Sequence, residues 1–410
     1  MTDTRVTRLP QEHDPIETWA FWTLTASLAL VQLSVAAAET LFGISALLWL
    51  VLVIRDRRVP NVPPFFVPLL MLAGWTLVST ALSPEPRFGL HEDKQLLLYL
   101  VVPIAMRVVG ARGAPRVLTA LIAVGGVSAL AGIVQGIVVG DLSYDYLIHN
   151  RPHGLLGHYM TYSGVLMLVL CAAAAQLIFA EREWLWPAVA VPAMLVALAV
   201  TLSRNVWLGA LAAIVALLVV RRPRLLIAVP VVLAIALAVA PVRSRALDVF
   251  DPSNATNRDR VSMIKSGGAM IRDHALFGVG PNRVPEEYLA HYKRADAVDP
   301  ADQPGSTRAH LHNVVVQLAA ERGLPALAAW LWFVAVAAIG LLDQMRRGPA
   351  PALAAAGFAA VIAMLIAGLF EHNFGDSEFL FLFLGLITLP YAARYQVGAP
   401  GSHARVEAAA

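Results

Sequence analysis

Apolar runs of about 20 residues recur along the chain, and each suits a helix that crosses a bilayer. In hydrocarbon every backbone donor and acceptor must find a partner inside the protein, so only helices and closed barrels can span. Barrel strands would be about 10 residues long and would alternate apolar and polar side chains. These runs do neither. The fold class expected is therefore an all-α polytopic integral membrane protein. About twelve spans are predicted, near 17–36, 38–54, 64–82, 95–110, 115–138, 162–180, 184–202, 206–221, 225–241, 324–343, 351–370 and 377–394. Several are short for a bilayer, and one close pair could form a re-entrant hairpin. Composition agrees, since only 14% of the residues are charged, against about 25% in a soluble domain.

One connection differs from the rest. Residues 241–311 form a polar insertion of about 70 residues, far longer than the usual loop. The organisation expected is an N-terminal bundle of about nine spans over 1–241, an outer loop with amphipathic helices over 242–323, C-terminal spans over 324–396 and a small, polar, disordered tail over 397–410.

Arginines set the orientation. Arg5/Arg8, Arg55/Arg57/Arg58, Arg107/Arg112/Arg116, Arg221/Arg222/Arg224 and Arg346/Arg347 fall on alternate connections and place both termini in the cytoplasm. The opposite face receives Arg87, Arg151, Arg204, the insertion and Glu371-His372-Asn373. It also receives nearly all the histidines: His91, His149, His153, His158, His274, His291, His310, His312 and His372. Topology explains the first set and not the second, so the chemistry is expected on the outer face.

Other classes are disfavoured. A net charge of +3 gives no reason to expect nucleic acid. The sole cysteine, Cys171, excludes a disulfide framework and a cysteine-rich metal site. Polar residues 1–16 precede the first span and no small-residue cleavage site follows it, so that span is expected to act as its own insertion signal. No domain-scale repeat stands out, which lowers the case for an inverted-repeat transporter.

Four constellations carry chemistry. Ser203-Arg204-Asn205-Val206-Trp207 is a very short outer connection. An arginine at that depth costs about 2.5–3.5 kcal/mol on insertion scales unless it snorkels or pairs, and its fork suits phosphate. Asn257-Arg258-Asp259-Arg260 opens a stretch in which Met263, Ile264, Gly267, Met270 and Ile271 have amphipathic helical spacing. Arg258 and Arg260 would supply a second anion contact, or else belong to a solvated face. The run Phe277-Gly278-Val279-Gly280-Pro281-Asn282 has the look of a phosphate loop, but Arg283 stands where a third glycine belongs and no βαβ unit surrounds it. A tight turn is the better reading.

The fourth is His310-Leu311-His312-Asn313, at the point where the insertion turns into an apolar helix that Gly323 and Pro325 break. A histidine at a helix N-terminus meets a dipole that disfavours imidazolium, and neutral imidazole is what a general base needs. His-x-His could instead recruit zinc with Glu371 or His372, although the spacing alone is weak evidence. Arg151 to Tyr159, Lys94 and Glu371-His372-Asn373 lie on the same face. Each alone reads as an ordinary interfacial residue.

In order and sidedness these elements resemble the O-antigen ligase and O-antigen polymerase superfamily. The resemblance rests on Ser203-Arg204 with Trp207-Leu208-Gly209, on Arg258/Arg260 with Asp273 to Asn282, on His312-Asn313 with Glu321 and Gly323, and on Arg151 to Gly157. It runs from about Lys94 to Glu371. Ala275 departs from the family, which often has proline there. The ligase is favoured, because one outer loop dominates and the sequence ends soon after its last expected span, where protein-glycosylating relatives usually carry a soluble domain. A polymerase or a protein O-oligosaccharyltransferase of the same superfamily remains open, as does a transporter or flippase for a lipid-linked anion.

The resemblance implies a bacterial inner-membrane glycosyltransferase with its active site facing the periplasm. The donor would be glycan on undecaprenyl pyrophosphate and the acceptor a sugar hydroxyl of lipid A–core. On this reading Arg204 stabilises the pyrophosphate and His312 is the base. Arg258, Arg260, Lys94, Arg151, His310 and His372 are the candidate contacts to pyrophosphate or acceptor. No acidic pair with convincing ligand spacing is visible, so a metal-independent, cofactor-free reaction is expected, and no carboxylate nucleophile for a retaining double displacement is evident, so a single inverting displacement is expected.

Overall fold

The computed structural model describes residues 14–57, 61–138, 143–180, 185–251, 253–294, 297 and 310–394. Their regular structure is helical, without strands. In chain order the α-helices are α1 (Pro15–Leu30), α2 (Val35–Asp56), α3 (Phe66–Leu82), α4 (Pro86–Glu92), α5 (Val101–Val108), α6 (Gly110–Val138), α7 (Tyr144–His149), α8 (Tyr159–Phe179), α9 (Leu185–Val200), α10 (Arg204–Arg221), α11 (Ala228–Ala238), α12 (Ala240–Leu247), α13 (Ala255–Asp273), α14 (Val284–Glu287), α15 (Val314–Arg347), α16 (Pro351–Gly368) and α17 (Ser377–Arg394).

Among the described residues, seven helices are long and apolar enough to cross a membrane: α2, α6, α8, α10, α15, α16 and α17. The sequence suggests about twelve, and the difference is one of length and continuity. Every expected segment is largely helical, but α1, α3 and α9 have only 16, 17 and 16 residues. Segment 95–110 divides into a 3-10 stretch, Asp93–Leu100, and the eight-residue α5. Segment 225–241 ends where Pro223–Ala238 meets Ala240–Phe250 at 103°, and counting that bent pair as one span gives eight. The expected tail 397–410 and Arg5, Arg8 and Arg58 lie outside the described residues.

Burial follows from which helices are apolar on every side. All of α8 from Tyr162 to Ala175 is buried, and α16 and α17 pack beside it. Gly209 lets α10 approach α16, because a Cβ there would stand 2.8 Å from the Ala363 carbonyl oxygen. At the rim, Ile44, Leu47, Leu50, Val51 and Ile54 of α2 are exposed and α11 buries nothing, as suits faces turned to lipid.

Much of the polar insertion folds back onto the bundle. On α13, Met263 and Met270 are fully buried while Ile264 is exposed, and Gly267 backs onto Leu311 and Val316. These methionines join Val279, Val284, Tyr288, Leu311 and Ala320 in a small core separate from that of the spans. The amphipathic spacing read from the sequence is thus the face that α13 lays on α15.

The break in α15 ties the insertion to the bundle. Gly323 has φ 82° and ψ 172°, outside helical geometry. The N–H of Leu324 leaves the helix for the Ala275 carbonyl at 2.8 Å, and Pro325 has no N–H to give. The carbonyls thereby released at Ala320 and Glu321 accept from Val279 N at 2.8 Å and Gly280 N at 2.9 Å. The glycine run spends these donors on the broken helix, and it needs glycine to come so close: a Cβ on Gly278 would lie 2.2 Å from the Glu321 carbonyl carbon.

Candidate active site

The turn before α15 places the histidines. Asn313 caps the helix, its Oδ1 accepting from Val315 N and Val316 N at 3.0 Å each, while its Nδ2 donates to the Leu369 carbonyl at 3.0 Å. Leu311 is fully buried and its N–H donates to Gln317 Oε1 at 2.6 Å. His312 sits in the left-handed region at φ 51°. The rings of His310 and His312 consequently meet edge to face, with centroids 4.5 Å apart.

Glu371, just beyond α16, lies against both rings. Its Oε2 is 3.1 Å from His312 Nδ1, and its Oε1 is 3.2 Å from His310 Nδ1 and accepts from His372 N at 3.1 Å. The contact to His310 lacks hydrogen-bond alignment, so His310 Nδ1 is left without a partner. Burial alone would raise the Glu371 carboxyl, but His312 and His310 hold it well below the usual carboxylate range. Burial pushes His310 down, opposed by Glu371, and pushes His372 well down. A carboxylate at His312 Nδ1 selects the tautomer with its hydrogen on Nδ1 and leaves the Nε2 lone pair free. A hydrogen bond to Glu371, more than the helix dipole invoked from the sequence, therefore organises His312.

The arginine side is built on a strained turn. Leu202 has φ 52°, and its carbonyl accepts from Arg245 Nε at 3.1 Å. Arg245 also reaches Asp248 at 3.3 Å, and Asp248 in turn accepts from the Tyr144 hydroxyl. The turn presents Arg204, 6% exposed, whose NH2 donates to Asn257 Oδ1 at 3.1 Å. Asn257 is fixed by its own bond to the Asp248 carbonyl at 2.8 Å. Arg204 NH1 and Arg260 Nε are buried without a hydrogen-bond partner among the described residues. Burial pulls Arg260 below its ordinary value, Glu371 counteracts, and Arg245 adds to the lowering. Arg260 thus feels charges from both halves of the site.

Helix N-termini converge on the same region. The starts of α8, α15 and α17 are capped by the side chains of His158, Asn313 and Asp376. The start of α10 carries no side-chain cap. The positive end of its dipole, beside the free edge of Arg204, favours a negative charge. A cavity of 340 Å³ opens next to this cluster, with Asp93, Asn205, His310, Glu321, Glu371 and Asn373 among its walls.

His310, His312 and Glu371 offer ligand atoms that all lie within 4.8 Å of one another. Two imidazoles and a carboxylate form a donor set that zinc accepts, so these residues are where a divalent metal would be held.

Residues 189–331 match the family model for O-antigen ligase. No curated protein matches the chain. The O-antigen ligase match is consistent with the ligase and polymerase superfamily, and it spans Arg204, Arg245, Arg260, His310 and His312 while stopping short of Glu371.

Of the candidates named from the sequence, the structure gathers Arg204, Arg260, His310, His312 and His372. Arg258 is exposed on α13, and Lys94 is exposed while its neighbours Asp93 and Gln95 line the cavity. Arg151 donates to the Ile148 carbonyl at 3.2 Å and stacks on Tyr159 at 4.4 Å, outside the cavity lining. Arg245, Asn257 and Asn373 are further residues that the structure adds to the site. For Arg245 the sequence carries a signal, since it belongs to the polar insertion, expected on the face that the positive-inside rule keeps poor in basic residues.

Proposed function

We propose that the protein is a glycosyltransferase that takes O-antigen glycan from undecaprenyl pyrophosphate and attaches it to a sugar hydroxyl of lipid A–core. The site would face the periplasm from the bacterial inner membrane, with both termini in the cytoplasm. The observation that carries this reading is the pairing of His312 with Glu371 near the buried Arg204 and the half-buried Arg260, each with a nitrogen left free. The O-antigen ligase match supports the class of reaction.

In this mechanism His312 Nε2 takes the proton of the acceptor hydroxyl. The oxygen attacks the anomeric carbon, the bond from that carbon to the pyrophosphate oxygen breaks, and lipid pyrophosphate leaves with the electron pair. Arg204, Arg260 and the uncapped start of α10 stabilise the charge that develops on the leaving group, fixed in place before the reaction begins. A single in-line displacement inverts the anomeric centre. Glu371 is committed to the histidines, so it is not free to act as the nucleophile of a retaining double displacement.

The test is transfer by purified protein given undecaprenyl-pyrophosphate-linked glycan and lipid A–core, beside His312→Ala. A core-linked product that requires His312 is expected. Lengthened glycan on the lipid carrier without core attachment would identify a polymerase instead. Movement of lipid-linked glycan without any acceptor would identify transport.

A further inference from the structure

We propose that the cavity beside Glu371 is a carbohydrate subsite in which the Asn373 carboxamide holds two adjacent hydroxyls of a neutral sugar ring. This inference rests on the glycosyl-transfer reading and assigns that site a substrate contact.

Asn373 is 7% exposed and lines the cavity, yet neither its Nδ2 nor its Oδ1 has a hydrogen-bond partner among the described residues. A buried carboxamide left unpaired on both edges is costly and rare, and it points to a ligand that pairs it. The backbone holds the group in place. Asn373 opens a 3-10 turn, Asn373–Gly375, whose Gly375 carbonyl accepts from Gln95 Nε2 at 2.7 Å. Phe374 is buried against Trp330, Phe333 and Phe383. The backbone that carries the carboxamide is therefore fixed before any ligand arrives.

Its chemistry narrows the ligand. A carboxamide presents one donor edge and one acceptor edge side by side. A phosphate would satisfy Nδ2 and leave Oδ1 facing another acceptor, and an ammonium would do the reverse. Two adjacent hydroxyls answer both, because each can donate and accept. Charge argues the same way. Asp93, Glu321, Glu371 and Asp376 all line the cavity, and the fixed cation among its walls, Arg322, lies 3.9 Å from Glu321. Such walls reject an anion and offer sugar hydroxyls further acceptors. At 340 Å³ the space falls at the lower end of small-molecule sites, about 300–1,000 Å³. Its Glu371 wall is one hydrogen bond from His312. The ring held there is either the acceptor sugar or the first sugar of the donor, since both present neighbouring hydroxyls.

Saturation-transfer NMR on the full-length protein in detergent tests this with two probes. One is core oligosaccharide freed of lipid A, and the other is donor glycan released from its pyrophosphate. The wild type is expected to bind one of them, which tells the sources apart. Asn373→Ala should weaken that binding about tenfold or more and raise KM for the same substrate in transfer, with thermal unfolding confirming the fold. A glycan lacking one of the two hydroxyls should bind the wild type more weakly than the intact glycan does, and loss of that hydroxyl should cost much less in Asn373→Ala than in the wild type. This deoxy probe on the wild type decides the matter even where Asn373→Ala does not fold. Equal binding of intact and deoxy glycans, or no binding of either glycan by the wild type, overturns the subsite. Binding without transfer would leave the subsite standing and defeat the transferase reading. Transfer with KM unchanged in Asn373→Ala would do the opposite.

Discussion

Glu371 Oε2 lies 3.1 Å from His312 Nδ1, although 59 positions separate the two residues in the chain. This contact fixes which nitrogen of His312 carries the hydrogen. Glu371→Gln keeps the shape but can turn an N–H toward Nδ1, which would move the imidazole hydrogen to Nε2 and remove the base. Transfer should fall about 10²- to 10⁴-fold, the usual worth of a positioned base, while binding of the lipid donor persists. Single-turnover transfer measured beside donor binding checks this. A full rate in Glu371→Gln would show that Glu371 does not orient the base.

The arginines divide sharply by burial. Arg260 is partly buried with a partnerless Nε, whereas Arg258, two residues earlier on α13, is exposed. Arg260→Ala should cost about 1.5–3 kcal/mol of leaving-group stabilisation, seen as a loss in kcat/KM of about 10- to 150-fold. Arg258→Ala should stay within about 0.5 kcal/mol of the parent. Arg204→Lys should also fail, because it keeps the charge but loses the fork that bonds Asn257 on one side and leaves NH1 free on the other. Parallel loss in Arg258→Ala, or full activity in Arg204→Lys, would undo the assignment.

The sequence announces these parts unevenly. Apolar length gives the helical class, and the change from polar insertion to apolar helix marks His310 to Asn313. Arg204 stands out because its depth is costly. The Glu371–His312 hydrogen bond depends on how α15 and α16 pack, and the sequence offers Glu371 to the histidines only as a candidate fellow zinc ligand. Glu371-His372-Asn373 looks like an ordinary connection until the two helices are side by side. The orphaned Asn373 amide has no linear signature at all, because what marks it is the absence of a neighbour in space. Lys94 and Arg258 illustrate the complementary point: a one-dimensional pattern groups residues by connection, whereas the exposure of these two side chains follows from how their helices turn.

His310, His312 and Glu371 can serve either as an oriented base or as a metal site, and one experiment separates the two. Transfer is expected to survive excess EDTA, with no divalent ion changing the rate on return. Loss of activity restored by a single ion such as Zn²⁺ would reassign the three side chains as ligands. His310→Ala sharpens the comparison. A ligand lost from a metal site should abolish activity together with metal binding, while removal of a neighbour to the base should leave partial transfer.

The broken α15 sets the stability prediction. At Gly323 the backbone is left-handed at φ 82°, and a Cβ would stand 1.9 Å from the Leu276 carbonyl oxygen. Gly323→Ala therefore incurs backbone strain of about 1–3 kcal/mol together with a clash that only movement of the 275–280 segment can relieve. That movement would release the bonds from Val279 N and Gly280 N and leave the Ala320 carbonyl unpaired. Pro325→Ala should behave differently. It restores an N–H, but the Glu321 carbonyl that this N–H would seek already accepts from Gly280 N at 2.9 Å and from Ser79 Oγ at 3.3 Å. Its cost should be about 1 kcal/mol or less. Thermal unfolding in one detergent should rank wild type and Pro325→Ala close together and Gly323→Ala well below them. The same ranking is expected for transfer, because His312 and the glycine run are joined through α15. Equal stability of Gly323→Ala and wild type would mean that the break in α15 does not hold the insertion against the spans.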